Sequence, residues 1–248
     1  MPRGNPEIEQ PLAGEALLAA WERGGAQSAT ARAVTLLLAG CPALDEAEAA
    51  GLPVTVRDHA LVVLHARSFG PMLSAFTVCQ SCGERLEFTL PARQVAASLQ
   101  NADVDCTLAR DGVTLHLRQA NTRDLQDAAA APDLELARGM LLARCAEAFD
   151  PDGRQVALPE ALQDAALEQL DAMHEAAEIS VVLVCPGCAV RQTVYVDVVS
   201  FLWDEIRPAA QSLLGEVHEL AWAYGWAESA ILAMSPSRRR AYLECVRG

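Results

Sequence analysis

Two Cys-x-x-Cys pairs, Cys79/Cys82 and Cys185/Cys188, are the residues in this chain best suited to chemistry. They sit in matching frames. The first reads Val78-Cys79-Gln80-Ser81-Cys82-Gly83-Glu84-Arg85 and runs on into Leu86-Glu87-Phe88-Thr89-Leu90. The second reads Val184-Cys185-Pro186-Gly187-Cys188-Ala189-Val190-Arg191 and runs on into Gln192-Thr193-Val194-Tyr195-Val196. A valine before the first thiol, an arginine after the second and an alternating apolar stretch recur in both. Four thiolates on two such knuckles suit a tetrahedral cation; Zn²⁺ is the usual occupant and iron accepts the same donors. The 102 residues between Cys82 and Cys185 exceed the ~15–20 of a compact ribbon. The duplicated frame, rather than the spacing, therefore ties the pairs together. A redox dithiol would open a helix after a strand, whereas strand-like sequence flanks both pairs here. With four protein ligands the shell is full, so one metal at Cys79, Cys82, Cys185 and Cys188 would be structural rather than catalytic.

No other constellation competes with it. His218-Glu219-Leu220-Ala221-Trp222 approaches the zincin pattern, but Trp222 stands where the second histidine is needed. His59, His65, His116 and His174 show no ligand spacing, and no nucleophile elbow or dinucleotide fingerprint occurs. All 19 cationic residues are arginine, which removes lysine-dependent chemistry, the phosphate-cradling P-loop included. No catalytic residue is expected, and Cys41, Cys106, Cys145 and Cys245 read as buried thiols.

The elements that must position the cysteines follow from periodicity and punctuation. Residues 1–10 read as a loose leader. Helices are expected over Leu12–Trp21, from a Ser28 or Thr30 cap to Ala39, weakly over Leu44–Ala50, and over Val56–Arg67 with Thr55 as N-cap. Leu73–Val78 and Leu86–Leu90 alternate as strands around the first pair, followed by a short helix over Pro91–Leu99. Val104–Arg118 reads as a hairpin turning at Asp111-Gly112. A helical region opens at Thr122 and Asp124, and helices are expected over Leu134–Phe149 and Pro159–Ala176. Strands over Ile179–Val184 and Thr193–Val198 flank the second pair, and helices follow over 201–224, 226–233 and 236–246. The fold class is thus α+β and mostly helical: split zinc-ribbon-like β knuckles, an inserted β-hairpin with helices, and a helical C-terminal tail. The corresponding division is 1–72, a ribbon core over 73–200 interrupted by the insertion 103–178, and 201–248.

Bulk properties bound the function. A 52% hydrophobic composition over 248 residues supports a sizeable core, with mean hydropathy +0.14. A formal charge of −14 opposes nucleic-acid binding, which works through cationic neutralisation of phosphates. No apolar run is long enough to cross a bilayer. Met1-Pro2-Arg3-Gly4-Asn5-Pro6-Glu7 lacks the apolar core of a signal peptide, so a cytoplasmic location is expected.

The tail is the second informative stretch. Trp222, Tyr224, Trp226 and Tyr242 fall in it, with Arg238, Arg239 and Arg240 in the first turn after Ser235-Pro236. Arginines there oppose the helix dipole at about 0.3–1 kcal/mol each. They would meet acidic groups either on a partner or on this protein, and aromatic–arginine clusters favour binding. Trp222, Trp226, Arg238, Arg239, Arg240 and Tyr242 are the candidate partner-binding residues.

That tail, His-Glu-Leu-Ala-Trp from His218 through Ser235-Pro236-Ser237-Arg238-Arg239-Arg240 to Glu244, resembles the C-terminal signature of the baseplate hub assembly chaperones of T-even-like contractile phages and phage-like injection systems. Val56-Arg57-Asp58-His59-Ala60-Leu61 with Phe69-Gly70, the Cys79 knuckle with Leu86-Glu87-Phe88, and Leu117-Arg118 with Thr122-Arg123-Asp124-Leu125 agree, so the likeness spans roughly residues 20–246. Gln119-Ala120-Asn121 departs from a more apolar, proline-containing pattern. The resemblance implies a non-enzymatic assembly factor in a bacterial or phage-infected cytoplasm. Its partners would be hub, spike or tape-measure proteins of the particle, with neither nucleic acid nor membrane bound. A permanent baseplate component is the alternative, and a zinc-ribbon nucleic-acid-binding regulator a more distant one.

Overall fold

The computed structural model describes residues 5–248; residues 1–4, where the expected leader starts, lie outside the described residues. Its helices begin where short polar side chains can take up orphan backbone N–H groups. Helices α1 (Gly14–Gly24) and α2 (Ala29–Gly40) come first, and Ser28 accepts from the Ala31 N–H at the start of α2. Asp45 and Glu48 close a capping box on α3 (Glu46–Ala50). Helix α4 (Val54–Phe69) has Pro53, not Thr55, at its cap. The reason is a long-range acceptor: Thr55 Oγ1 donates to Gln119 Oε1 at 2.6 Å, so its hydroxyl is engaged across the fold.

Strands β1 (Met72–Val78) and β2 (Arg85–Pro91) form an antiparallel hairpin with the first Cys pair at its turn, and α5 (Ala92–Gln100) packs back on α4. Strands β3 (Asp105–Arg110) and β4 (Val113–Arg118) turn through Asp111 and Gly112, whose φ values of 52° and 76° are those of the favoured two-residue hairpin turn. Asn121 and Asp124 cap α6 (Thr122–Ala129), and Asp133 caps α7 (Leu134–Cys145). The helix expected to reach Phe149 stops at Cys145. Ala146–Phe149 is instead strand β5, paired with β4, and β6 (Gln155–Val156) completes a four-stranded sheet of order β3-β4-β5-β6. Local alanine content favours helix there, but the free edge of β4 and burial of Ala148 beneath the sheet outweigh that propensity.

Helix α8 (Glu160–Glu175) leads to the hairpin β7 (Ser180–Val184) and β8 (Arg191–Tyr195), which carries the second Cys pair. Helix α9 (Val198–Tyr224) opens on Asp197, whose carboxylate accepts from Val199 and Ser200 N–H, and ends at Gly225, left-handed at φ 68°. Helices α10 (Glu228–Leu232) and α11 (Pro236–Arg247) follow, with the Ser235 hydroxyl accepting from Arg238 N–H and Pro236 opening α11.

The larger apolar core joins both ends of the described chain. Leu36, Leu37, Leu61 and Leu64 pack in one cluster with Leu202, Ile206, Leu220 and Ile231, so stretches 1–72 and 201–248 contribute to the same core. Ile8 and Leu12 are buried in it as well; from Ile8 onward the expected leader is packed. A smaller core, built from the insertion, places Leu115, Leu117 and Ala148 of the sheet against Leu162, Ala166 and Leu170 of α8.

A polar seam joins the two cores. Buried Gln119 accepts from Thr55 and donates to the Met173 carbonyl, while Ala120 C=O accepts from Val54 N–H. Arg57 Nη1 donates to Thr122 Oγ1 at 3.2 Å, and Arg123 donates to the Ala47 carbonyl. Gln119-Ala120-Asn121 is therefore polar for a reason: it supplies the seam's amide, its carbonyl and the cap of α6. Among the described residues, no helix is long and apolar enough to cross a membrane.

Candidate metal centre and aromatic tail

The two hairpins bring all four expected sulfurs together. Cys79, Cys82, Cys185 and Cys188 place their Sγ atoms within 4.8 Å of one another, with Cys79–Cys188 at 3.6 Å and Cys82–Cys185 at 3.5 Å. These separations are far beyond an S–S bond of about 2.05 Å. They lie close to the ~3.8 Å edge of a tetrahedron whose centre is ~2.3 Å from each sulfur. The cluster can hold one metal ion, and four protein donors leave that ion no open position. Cys79 and Cys185 are buried with Leu86 and Leu183, whereas Cys82 and Cys188 reach the surface.

Both knuckles are built by the same backbone bonds. Cys79 N–H donates to Glu84 C=O and Gly83 N–H to Cys79 C=O; Cys185 N–H donates to Val190 C=O and Ala189 N–H to Cys185 C=O. The first turn aims N–H groups at its two sulfurs. The Cys79 thiol is drawn down to about 7, first by the N–H of Cys82 and then by that of Ser81. Cys82 is pulled down by the Glu84 N–H, but the crowding thiols of Cys185, Cys188 and Cys79 outweigh it and push the group up to about 12. Four adjacent thiols resist joint ionisation unless a cation neutralises them, which is the electrostatic demand of a metal site.

The residue after the second cysteine differs between the copies. Gly83 sits at φ 78° without strain, but Ala189 holds φ 60°, where a Cβ crowds the following carbonyl. Ala189→Gly is expected to stabilise the metal-loaded chain by roughly 0.5–1 kcal/mol, read as a small rise in thermal midpoint. Gly83→Ala should shift it the other way.

A contact with no sequence precedent sits beside the cluster. Gln192 Nε2 donates to Val78 C=O at 3.3 Å, and its Oε1 accepts from Gln80 N–H at 3.2 Å, tying β8 to β1. Position 192 reads as an ordinary strand residue, and only the meeting of the hairpins reveals its use. Of the remaining cysteines, Cys41 and Cys145 are buried as expected, and burial pushes each thiol up to about 11. Cys106 is only half-buried and Cys245 is exposed, because β3 is an edge strand and Cys245 lies on the outer face of α11.

The tail residues separate into two sets. Trp222 is 86% exposed on α9. Trp226 stacks on Tyr224 at 4.4 Å between centroids and meets Tyr242 edge-on at 4.9 Å. Arg238 is exposed, its guanidinium 5.7 Å above the Tyr242 ring, and Arg240 is exposed with no ion pair among the described residues. Arg239 is different: it is 5% exposed, bound to Glu216 at 2.9 Å and to the Met234 carbonyl at 2.8 Å. Of the two acidic surfaces the sequence allowed, Arg239 has found the internal one, which offsets its unfavourable place near the start of α11. Glu219 of the zincin-like stretch likewise pairs with Arg247, while His218 stays exposed.

Fold and site together define a mostly helical α+β protein in which a four-cysteine cluster clasps two hairpins distant in sequence. The chain belongs to the T4 bacteriophage base plate protein family, whose model matches residues 13–203. That stretch contains both Cys pairs and the polar seam and ends at Trp203 within α9. No curated protein and no solved structure matches the chain.

Proposed function

We propose that this chain is a non-enzymatic assembly factor for the baseplate hub of a contractile tail or phage-like injection system, held rigid by one structural Zn²⁺. The observation that carries the reading is the tail of a base plate family member. Trp222 and Arg240 stand free on α9 and α11, and Arg238 is exposed over Tyr242, beside a packed Tyr224–Trp226–Tyr242 cluster. Exposed aromatics and unpaired arginines on a rigid platform are what transient docking needs. The clasp supports the same reading, since a closed four-thiolate site stabilises without doing chemistry. Zn²⁺ suits the donor set because it is redox-inert and tetrahedral.

Co-purification tests the proposal. The tagged chain is expected to retain hub, spike or tape-measure proteins from the same gene cluster, and Trp222→Ala with Arg238→Glu and Arg240→Glu is expected to lose them while melting normally. Unchanged retention by that variant would refute the tail's role. Mass spectrometry of purified particles addresses duration: an assembly factor is absent or far below stoichiometric, whereas a permanent component is present in fixed ratio.

A further inference from the structure

Strands β1 and β8 each present an edge with no strand partner among the described residues. β1 pairs only with β2, and β8 only with β7. Ladder parity fixes which backbone groups are free, because hydrogen-bonded and non-bonded pairs alternate along an antiparallel ladder. Cys79 N–H donates to Glu84 C=O and Ala92 N–H to Pro71 C=O, so odd-numbered residues of β1 turn toward β2. The N–H and C=O groups of Ser74, Phe76 and Val78 therefore point away from it. By the same rule, Cys185 N–H to Val190 C=O and Val196 N–H to Ile179 C=O leave Thr193 and Tyr195 of β8 pointing outward.

Both edges border one cleft of about 490 Å³, lined by Ser74–Thr77 from β1 and Val194–Asp197 at the end of β8. Phe76 and Tyr195, 60% and 66% exposed, stand at its margins. Near the cysteine cluster the gap is already spanned by an amide. Gln192 bonds Val78 C=O and Gln80 N–H, the pair of contacts that one residue of an adjacent parallel strand would make. The edge of β1 thus accepts a carboxamide in strand geometry within the chain itself.

The cleft also has a charge. Asp197, Asp204 and Glu205 line it and no arginine does. Asp197 is occupied in capping α9, but Asp204 and Glu205 make no ion pair among the described residues. Arg32, which interacts with Asp204 through space, is held away by stacking on Trp203 and by the Gly24 and Gln27 carbonyls. Strand addition draws affinity from main-chain bonds and specificity from side chains. We infer that this cleft takes up an extended arginine- or lysine-bearing segment of a partner protein as an added strand beside β1 and β8, its cations set against Asp204 and Glu205. This docking site is separate from the tail and does not rest on the tail's role.

A fluorescent peptide alternating arginine with valine and threonine, titrated into the full metal-loaded chain, tests it. Two counterparts accompany it, one with glutamate replacing arginine and one with proline at the ladder-bonding positions. The arginine peptide is expected to bind saturably and to shift the amide resonances of Ser74, Phe76, Thr193 and Tyr195. Both counterparts should bind about tenfold more weakly or worse. Asp204→Asn with Glu205→Gln should weaken the arginine peptide about fivefold with an unchanged melt, whereas Trp222→Ala should bind it normally. Equal binding of the proline peptide, or resonance shifts confined to α9–α11, overturns the inference. So does a concentration-dependent dimer that protects the β1 amides, because a second copy would then be the occupant.

Discussion

Cys185→Ser is expected to lower the thermal midpoint of the metal-loaded chain by roughly 10–20 °C, measured by calorimetry or circular dichroism. The side chain is 1% exposed and its sulfur lies 3.5 Å from that of Cys82, so serine removes a donor that no neighbouring group can replace. Structural zinc contributes about 10–16 kcal/mol to the folding of small zinc-finger peptides. Losing a third to a half of such a term is about 5 kcal/mol, and for a chain of this size each kcal/mol moves the midpoint by about 2–4 °C. The consequence is concentrated because the clasp joins hairpins whose own apolar cluster is little more than Cys79, Leu86 and Cys185. A chelator should lower the parent's midpoint by at least as much as the substitution and lower the variant's by less. Elemental analysis should find about one metal per chain. Cys245→Ser, at an exposed thiol, serves as the control and should leave the midpoint in place. A variant melting with the parent, or a parent indifferent to chelation, would remove the clasp.

Which features could be read in advance follows from how local their determinants are. A Cys-x-x-Cys knuckle encodes its turn and two donors within a few residues, so the clustering of the four cysteines was legible despite the 102 residues between Cys82 and Cys185. The Asp111-Gly112 hairpin was legible for the same reason, since both left-handed positions are written in adjacent residues. Strand β5 was not, because Ala146–Phe149 has helical composition and becomes a strand only through the edge of β4. Thr55 misled in the same manner: a good capping residue was claimed by Gln119 from across the chain. In the arginine triplet, sequence could not separate Arg239 from Arg238 and Arg240, for only the approach of Glu216 on α9 makes one of them structural.

The same distinction between local and distant determinants locates function. The sequence reads 201–248 as a helical C-terminal tail, and Leu220, Ile231 and Leu243 of that stretch are buried with Leu36 and Leu61 in the larger core. Its exposed residues are thus fixed in position by the N-terminal helices, and a partner gripping Trp222 would feel a rigid surface. The segments Arg57-Asp58 and Thr122-Arg123-Asp124, far apart in sequence, meet at the seam. Their types answer to that meeting.

Arg118→Ala is expected to cost about 3 kcal/mol in urea denaturation, more than Asp124→Ala at roughly 2 kcal/mol, although the two residues form one ion pair. The asymmetry comes from where each charge goes when its partner is removed. Asp124 is 2% exposed, bound to Arg118 at 2.7 Å and more loosely to Arg144 at 3.5 Å. Without Arg118 its carboxylate stays buried with only the longer arginine contact and the Asn121 N–H. The Arg118 side chain is 43% exposed, so without Asp124 it turns to water, and the loss is chiefly the hydrogen bonds and half of the α6 capping box. The double variant should cost less than the sum of the singles, because the second substitution removes a charge the first had already stranded. Acid supplies an independent check. Burial pushes the Asp124 carboxyl up, but Arg118, the Asn121 N–H and Arg144 together hold it below the usual carboxylate range. A depressed carboxyl stabilises the fold above its unfolded pKa of about 3.9 and loses that stabilisation as pH falls through the lower folded value. The gap between the parent chain and Asp124→Asn should therefore be full near neutrality and close only in strong acid. A gap that instead widened on acidification would mean that Asp124 is buried protonated, and its contact with Arg118 would then be a neutral hydrogen bond rather than an ionic one.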